Sequence, residues 1–250
     1  MEFQGKGALV TGSAGGIGRA AAALFAAGGA GVVLVDTNRA GLGETAEFIR
    51  NAGGKATAFP ADITNPEDME RAVAETVRLY GRLDFAHNNA GILGAFASIA
   101  DYPLAEFRRV MEINCIGTFV CMQAELKQML RQGGGAIVNT ASASGVIAFP
   151  GIGAYTASKH AVLGLTRNAA VEYGKQNIRV NAVCPASVST PMTQGLFATD
   201  GQLDAAANGI PLGRVAQPEE IAELVIWLCS GRSSFVTGST VLIDGGYTAL

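Results

Sequence analysis

The first 27 residues constrain the fold of this 250-residue chain most tightly. A short apolar run at residues 7–10 predicts a buried strand, the glycine-rich stretch 11–18 predicts a tight turn, and an alanine-rich helix follows over about 16–27. Glycines let the backbone approach a ligand closely, and free N–H groups at a helix start favour anions. The order strand, glycine turn, helix therefore predicts a dinucleotide phosphate site. A turn whose glycines serve packing alone is the alternative.

The same alternation of strand and helix continues through the chain. Further strands are predicted at about 32–35, 56–61, 83–87, 136–139, 179–183 and 240–243. Helices are predicted between them at about 39–51, 67–80, 101–131 with an irregularity near Asn114, a segment ending near 175, and 218–229. Such alternation predicts an α/β fold of the Rossmann type, a doubly wound parallel sheet of about seven strands with helices on both faces. No linker or repeat divides the chain, so we expect a single domain over 1–250, with a substrate loop around 186–213.

Asp36 follows the second predicted strand, 18 residues after Gly18. A carboxylate at about this spacing accepts hydrogen bonds from the adenosine ribose and repels a 2′-phosphate. The sequence therefore predicts NAD as the cofactor. Arg39 lies close enough in sequence to reach a 2′-phosphate, so NADP remains the less favoured alternative.

Composition excludes several other classes of protein. The formal net charge is −3, which does not favour a nucleic-acid or anionic-membrane partner. The apolar, uncharged stretch 20–35 is shorter than a membrane span and is interrupted by glycines. The four cysteines are scattered and there are only two histidines, so we expect no metal site and no disulfide framework. A cytoplasmic protein without a signal peptide is the expectation.

Tyr155 and Lys159 are four residues apart in a predicted helix, so their side chains share one face. A neighbouring ammonium typically lowers the pKa of an acid by about 1–3 from its ordinary value, which is near 10 for tyrosine. The spacing thus suggests a phenol that exchanges protons near neutral pH. Two solvated helix residues are the alternative for this pair taken alone.

Five motifs together resemble the short-chain dehydrogenase/reductase family. Residues 11–18 fit its TGxxxGIG, residues 88–91 read NNAG, and Tyr155 and Lys159 fit YxxxK. Ser142 lies 13 residues before Tyr155, and Asn114 matches the asparagine of the family's catalytic tetrad. The resemblance covers nearly the whole chain.

This resemblance implies roles for individual residues. Tyr155 would be the general acid/base, Lys159 would lower its pKa and hold the nicotinamide ribose, Ser142 would bind the substrate oxygen, and Asn114 would hold a water of a proton relay. The cofactor contacts it implies, besides Tyr155 and Lys159, are Gly12, Ser13, Gly15, Gly16, Ile17, Gly18, Asp36, Asp62, Ile63, Asn88, Ala90, Gly91, Pro185, Val188 and Thr190. One departure is Ala186, which stands where the family usually has glycine, and this puts the backbone geometry there in question.

The substrate is constrained less. The segments expected to form its pocket contain no lysine or arginine and offer apolar candidates: Leu93, Phe149, Ile152, Met192, Leu196 and Phe197. We therefore expect a neutral, fairly apolar secondary alcohol or its ketone. A carrier-linked 3-oxoacyl substrate, a polyol or sugar, and a non-catalytic NAD-binding sensor remain alternatives. Apolar and small residues along two helices, and the family's habit of pairing through them, predict a homotetramer.

Overall fold

A computed structural model describes residues 2–194 and 206–249. Its seven strands form one sheet in the order β3-β2-β1-β4-β5-β6-β7, and every neighbouring pair is parallel. The strands are β1 Gly7–Thr11, β2 Gly31–Asp36, β3 Lys55–Pro60, β4 Phe85–Asn88, β5 Gly135–Thr140, β6 Ile178–Pro185 and β7 Thr240–Ile243. The predicted doubly wound parallel sheet is confirmed.

Helices cover both faces of this sheet. They are α1 Gly16–Ala27, α2 Arg39–Asn51, α3 Pro66–Tyr80, α4 Leu104–Met111, α5 Thr118–Gln132, α6 Gly153–Tyr173, α7 Pro191–Gln194 and α8 Pro218–Cys229. Helices α1, α2 and α8 share one apolar core, and α3, α5 and the end of α6 share another. Neighbouring residues of one strand enter opposite cores, as Val10 and Leu9 of β1 do. Burial on both faces explains why β1 and β2 in particular read as apolar runs.

The irregularity predicted near Asn114 is a π-helical stretch, Glu112–Gly117, between α4 and α5. Asn114 lies inside it and is fully buried. A π-helical turn widens the helix and frequently occurs at functional sites. Gly133, in the left-handed conformation, ends α5.

The predicted loop around 186–213 is described only in part. Val188 pairs with Ala216 in an isolated bridge, and the short helix α7 follows. Residues 195–205 lie outside the described part of the chain. Among the described helices, none has both the length and the apolar character required to cross a bilayer.

Candidate active site

A cavity of about 620 Å³ opens at the carboxyl ends of the central strands. This edge of a parallel sheet is where α/β proteins bind ligands. Most of the predicted site residues line the cavity: Gly12, Gly15, Gly16, Ile17, Asp36, Asp62, Ile63, Ala90, Gly91, Ser142, Tyr155, Lys159, Pro185, Val188, Thr190 and Met192.

The glycine turn between β1 and α1 forms one wall of the cavity. Gly12 has φ +65°, and a Cβ there would lie 2.8 Å from the Cα of Ala90. A Cβ on Gly18 would lie 2.2 Å from the carbonyl oxygen of Gly12. No side chain caps the start of α1, so its first N–H groups are available to a ligand. The wall can therefore hold an anionic group such as a pyrophosphate.

Asp36 ends β2 at the side of the glycine turn. One carboxylate oxygen accepts a hydrogen bond from the backbone N–H of Ala14 at 3.1 Å, and the other accepts from that of Asn38 at 2.9 Å. The carboxylate thus stabilises the turn and still faces the cavity. Arg39 is exposed on the first turn of α2 and is not part of the cavity lining.

Tyr155 and Lys159 lie on the first turns of α6, as their spacing predicts. The Lys159 Nζ is 5.5 Å from the centre of the Tyr155 ring and donates a hydrogen bond of 2.8 Å to the carbonyl oxygen of Thr140. Burial lowers the pKa of Lys159 to about 8, since the charged ammonium loses solvent.

The pKa of Tyr155 differs in direction from the expectation. Burial raises it above the ordinary tyrosine value, and the neighbouring Ser142 hydroxyl opposes this shift only in part. Burial is the larger effect, because removing solvent disfavours the charged phenolate. Lys159 is not among the causes of this shift, so the lowering of the Tyr155 pKa by Lys159 stays a prediction.

Ser142 lies two residues beyond β5, opposite Tyr155 across the cavity wall. Its Oγ accepts a hydrogen bond from the backbone N–H of Ser144 at 3.1 Å and lies 3.4 Å from the Pro185 carbonyl oxygen. The first contact fixes the side-chain orientation, and the second is too long to occupy the hydroxyl proton firmly. The hydroxyl can therefore donate to a substrate oxygen.

Asn114 stands behind the cavity wall and does not line it. Its side-chain oxygen accepts from the Ile92 N–H at 2.8 Å, and its nitrogen donates to the Ile92 carbonyl oxygen at 2.8 Å and to the Ser158 Oγ at 3.0 Å. Within the described residues this amide connects the loop after β4 to α6, beside Lys159. Both N–H donors of this amide are occupied, so a water held by Asn114 would donate to one of its two oxygens, of which the backbone carbonyl already accepts from the Thr118 hydroxyl.

Three predicted cofactor residues do not line the cavity: Ser13, Gly18 and Asn88. Asn88 needs a correction, because its side chain points into the core, where it donates to Glu125 at 2.9 Å and to Asn139 at 3.0 Å. Asn89 lines the cavity instead, and its side chain donates to the Gly12 carbonyl oxygen at 3.2 Å. Alternation along β4 sends neighbouring side chains to opposite faces, which the NNAG motif alone does not reveal.

The apolar substrate candidates are also divided. Met192 lines the cavity, but Leu93, Phe149 and Ile152 do not. Phe149 packs its ring against Tyr247, with centroids 5.5 Å apart, and Ile152 is buried in a bridge with Ala97. Leu196 and Phe197 lie outside the described residues.

Ala186 causes no backbone strain. Among the described residues, Asn177 is the only non-glycine residue with a positive φ, so Ala186 adopts a conformation open to any L-residue. The departure from the family's usual glycine therefore adds one methyl group at the cavity wall and requires no unusual backbone conformation.

Sequence reasoning missed several polar residues of the lining, among them Thr140 and Arg109. Thr140 ends β5 and accepts from Lys159, a contact across 19 residues that no local pattern signals. Arg109 of α4 is paired side by side with Glu106 at 2.7 and 2.8 Å. The described residues contain no cluster of side chains that could hold a metal ion.

Known proteins resemble this chain over its whole length. A family model described as "Enoyl-(Acyl carrier protein) reductase" matches residues 12–248. A 2,5-dichloro-2,5-cyclohexadiene-1,4-diol dehydrogenase of Sphingobium indicum is 46% identical, covering 100% of this chain and 99% of its own. A cyclohexanol dehydrogenase of Acinetobacter sp. is 42% identical, covering 99% and 97%.

A solved structure, levodione reductase, superposes with a TM-score of 0.95 at 37% identity and covers 99% of both chains. Its fold, the length of these matches and the residues gathered at one cavity agree with the motifs quoted from the sequence. The chain belongs to the short-chain dehydrogenase/reductase family.

Proposed function

We propose that this oxidoreductase interconverts a neutral cyclic secondary alcohol and its ketone, with NAD as hydride acceptor or donor. The observation that carries the proposal is the arrangement of one cavity. Ser142, Tyr155 and Lys159 form one part of its wall, and the glycine turn with Asp36 forms another. A dinucleotide spanning the cavity would have its phosphates at the start of α1.

The protein's own groups would move the proton. In oxidation, the Tyr155 hydroxyl oxygen takes the proton of the substrate alcohol, and in reduction it returns that proton to the carbonyl oxygen. Ser142 donates a hydrogen bond to the same substrate oxygen, and Lys159 supplies positive charge beside the phenol. The bound nicotinamide supplies the hydride chemistry, while the protein contributes position and electrostatics.

The ring-shaped substrate rests on the relatives and on the lining. Two of the relatives are named for alcohols of six-membered carbon rings. The cavity lining includes the uncharged side chains of Ile92, Ala186 and Met192, and the acidic Glu112 of the same lining would disfavour an anionic substrate. Arg109, the lining's arginine, is already held by Glu106. A neutral, apolar ring fits such a wall better than a carboxylate, a phosphate or a polyol.

A panel of alcohols tests this proposal. Cyclohexanol and substituted cyclohexanols should be oxidised with higher kcat/KM than linear 2-alkanols, sugars or the reduced form of a 3-oxoacyl thioester. Tyr155→Phe should lower kcat by about 10² to 10⁴ and leave NAD affinity nearly intact. Wild-type turnover in that variant would refute the acid/base role. Preference for the thioester would instead assign the carrier-linked alternative.

The choice of NAD rests on Asp36. Asp36→Asn keeps an acceptor oxygen for one of the two N–H groups, of Ala14 and Asn38, that the carboxylate now accepts from, and it removes the charge that repels a 2′-phosphate. We expect the NADP to NAD ratio of kcat/KM to rise at least about tenfold, because repulsion between partly exposed charges at close range is on the order of 1–4 kcal/mol. Arg39→Ala, an exposed change on the same helix turn, is the matched control. If only Arg39→Ala changed the activity with NADP, Arg39 and not Asp36 would be the residue that determines the choice of cofactor.

Two further proposals concern assembly and location. Large apolar side chains are exposed on α4 and α5, among them Leu104 and Phe119, and β7 is a free edge of the sheet. We propose a homotetramer built from two different two-fold contacts over these surfaces. All four cysteines are free thiols, which agrees with the reducing cytoplasm as its location.

A further inference from the structure

His87 is a buried polar residue that the reaction described above does not use. It lies on β4, beside Val10 of β1 and Val138 of β5, and no part of its side chain reaches solvent. Its Nδ1 has no hydrogen-bond partner in the described part of the chain. A buried imidazole with an unpaired nitrogen costs stability that an apolar side chain of similar size would not cost. The imidazole therefore needs an explanation other than filling the core.

The partner of its other nitrogen supplies that explanation. His87 Nε2 lies 2.8 Å from the Oγ1 of Thr140, the last residue of β5. The carbonyl oxygen of this same Thr140 accepts the hydrogen bond from Lys159 Nζ at 2.8 Å. Burial lowers the pKa of His87 to about 3, so the ring is neutral and the contact with Thr140 is a hydrogen bond without charge.

Thr140 is also the point at which the chain leaves the sheet towards Ser142. The backbone N–H of Ala141 still bonds to the Val183 carbonyl oxygen, and Ser142 follows at the cavity. A side-chain hydrogen bond on Thr140 restrains the last residue before this departure from the side of β4. It therefore restrains both the carbonyl that holds Lys159 and the start of the segment that carries Ser142.

We propose that His87 is a positioning residue, which acts through Thr140 to hold Lys159 and Ser142 in their working geometry. The inference rests on the proposed roles of those two residues. A neutral hydrogen bond of this kind typically changes an equilibrium by about two- to tenfold, so the expected effects are of that size.

Three variants and their combination test the proposal. His87→Phe fills the volume without the hydrogen bond, and Thr140→Val removes the hydroxyl but keeps the carbonyl. Each should lower kcat about three- to tenfold and weaken NAD binding, measured by calorimetry, about two- to fivefold. The double variant should be no worse than the worse single one, because both remove the same bond. His87→Gln, whose amide nitrogen can stand at the position of Nε2, should recover most of the loss.

A core control separates positioning from general destabilisation. Val138→Ala in the neighbouring strand should lower the melting temperature without changing kcat or NAD affinity. If His87→Phe and Thr140→Val also lower only the melting temperature, or if their effects on kcat multiply in the double variant, the proposal is overturned. If His87→Phe does not fold, the kcat and the NAD affinity of Thr140→Val still test the proposal. Failure of the proposed function would be seen separately, as wild-type turnover in Tyr155→Phe.

Discussion

The reduction of a ketone should slow above about pH 8, because Lys159 loses its proton there. Burial lowers its pKa to about 8, whereas burial raises that of Tyr155 above its ordinary value of 10. At pH 7 most molecules therefore carry the reactive pair, a protonated phenol beside an ammonium, and at pH 8 about half of them do. At pH 9 the protonated fraction of Lys159 has fallen to about one-tenth, so kcat should fall about tenfold between pH 7 and pH 9. Tyr155 keeps its proton over this range and cannot cause the fall.

The assay is kcat for reduction at saturating NADH and ketone, between pH 6 and pH 10. A deuterated hydride donor shows whether hydride transfer limits the rate at each pH. Lys159→Arg carries a charge at every pH tested, so its profile should be flat to pH 10 even if its rate is lower. Lys159→Met should be slow and equally flat.

Other titrating groups near this range are Glu125, with a pKa of about 7, and Cys184, with a pKa of about 11. Glu125→Gln should leave the fall above pH 8 in place, and the Cys184 thiol titrates too high to produce it. A wild-type rate that is unchanged from pH 7 to pH 9.5, with hydride transfer limiting throughout, would refute the assigned role of the ammonium.

Two further predictions concern stability and assembly. The carboxyl group of Glu125 is fully buried beside Asn88, and burial raises its pKa from 4.5 to about 7. The folded state therefore binds more protons than the unfolded state between these values, and its stability falls as pH rises from 4.5 to 7. In denaturant titrations, the free energy of unfolding of Glu125→Gln relative to wild type should rise by on the order of 3 kcal/mol between pH 5 and pH 8. A difference between the two proteins that does not change with pH would contradict this. For assembly, light scattering should give a tetrameric mass for wild type and a dimeric mass for Phe119→Glu, since Phe119 is 46% exposed on α5. A monomeric wild type would refute both contacts.

The sequence predicts the sheet well because its signals are local and repeated. The inner strands β1, β2, β4, β5 and β6 are buried on both faces, so they read as largely apolar runs, and helices separate successive strands along the chain. Even the irregularity near Asn114 is where the pattern of 101–131 places it, although only the structure identifies it as a π-helical turn. The predicted and observed ends of strands and helices differ by one to three residues. The fourth strand, for example, is predicted from residue 83, whereas β4 begins at Phe85.

The site could be predicted only as far as spacing along the chain carries information. The pair Tyr155 and Lys159 shares a helix face, and the glycine turn lies between a strand and a helix, so their neighbourhood follows from local geometry. The contacts of Lys159 with Thr140 and of Asn114 with Ile92 depend on the meeting of distant segments. Their spacing in sequence contains no periodic signal.

The direction of the Tyr155 pKa shows why neighbours in sequence do not determine electrostatics. Spacing reveals that an ammonium is near, but the loss of solvent depends on everything packed around the pair. Here burial disfavours both charges, lowering the pKa of Lys159 and raising that of Tyr155. The neutral phenol is therefore favoured over the phenolate in the protein as it stands.

The two directions of the reaction consequently need different conditions. Reduction uses the phenol, which predominates at neutral pH. The rate of reduction falls only as Lys159 deprotonates. Oxidation uses the rare phenolate, so its rate rises with pH until the ammonium that stabilises this phenolate is itself lost. Any positive charge that a bound ligand brings beside Tyr155 favours the phenolate and extends this range. The optimum for oxidation should therefore lie at higher pH than the optimum for reduction, and the same two buried groups, Tyr155 and Lys159, set both limits.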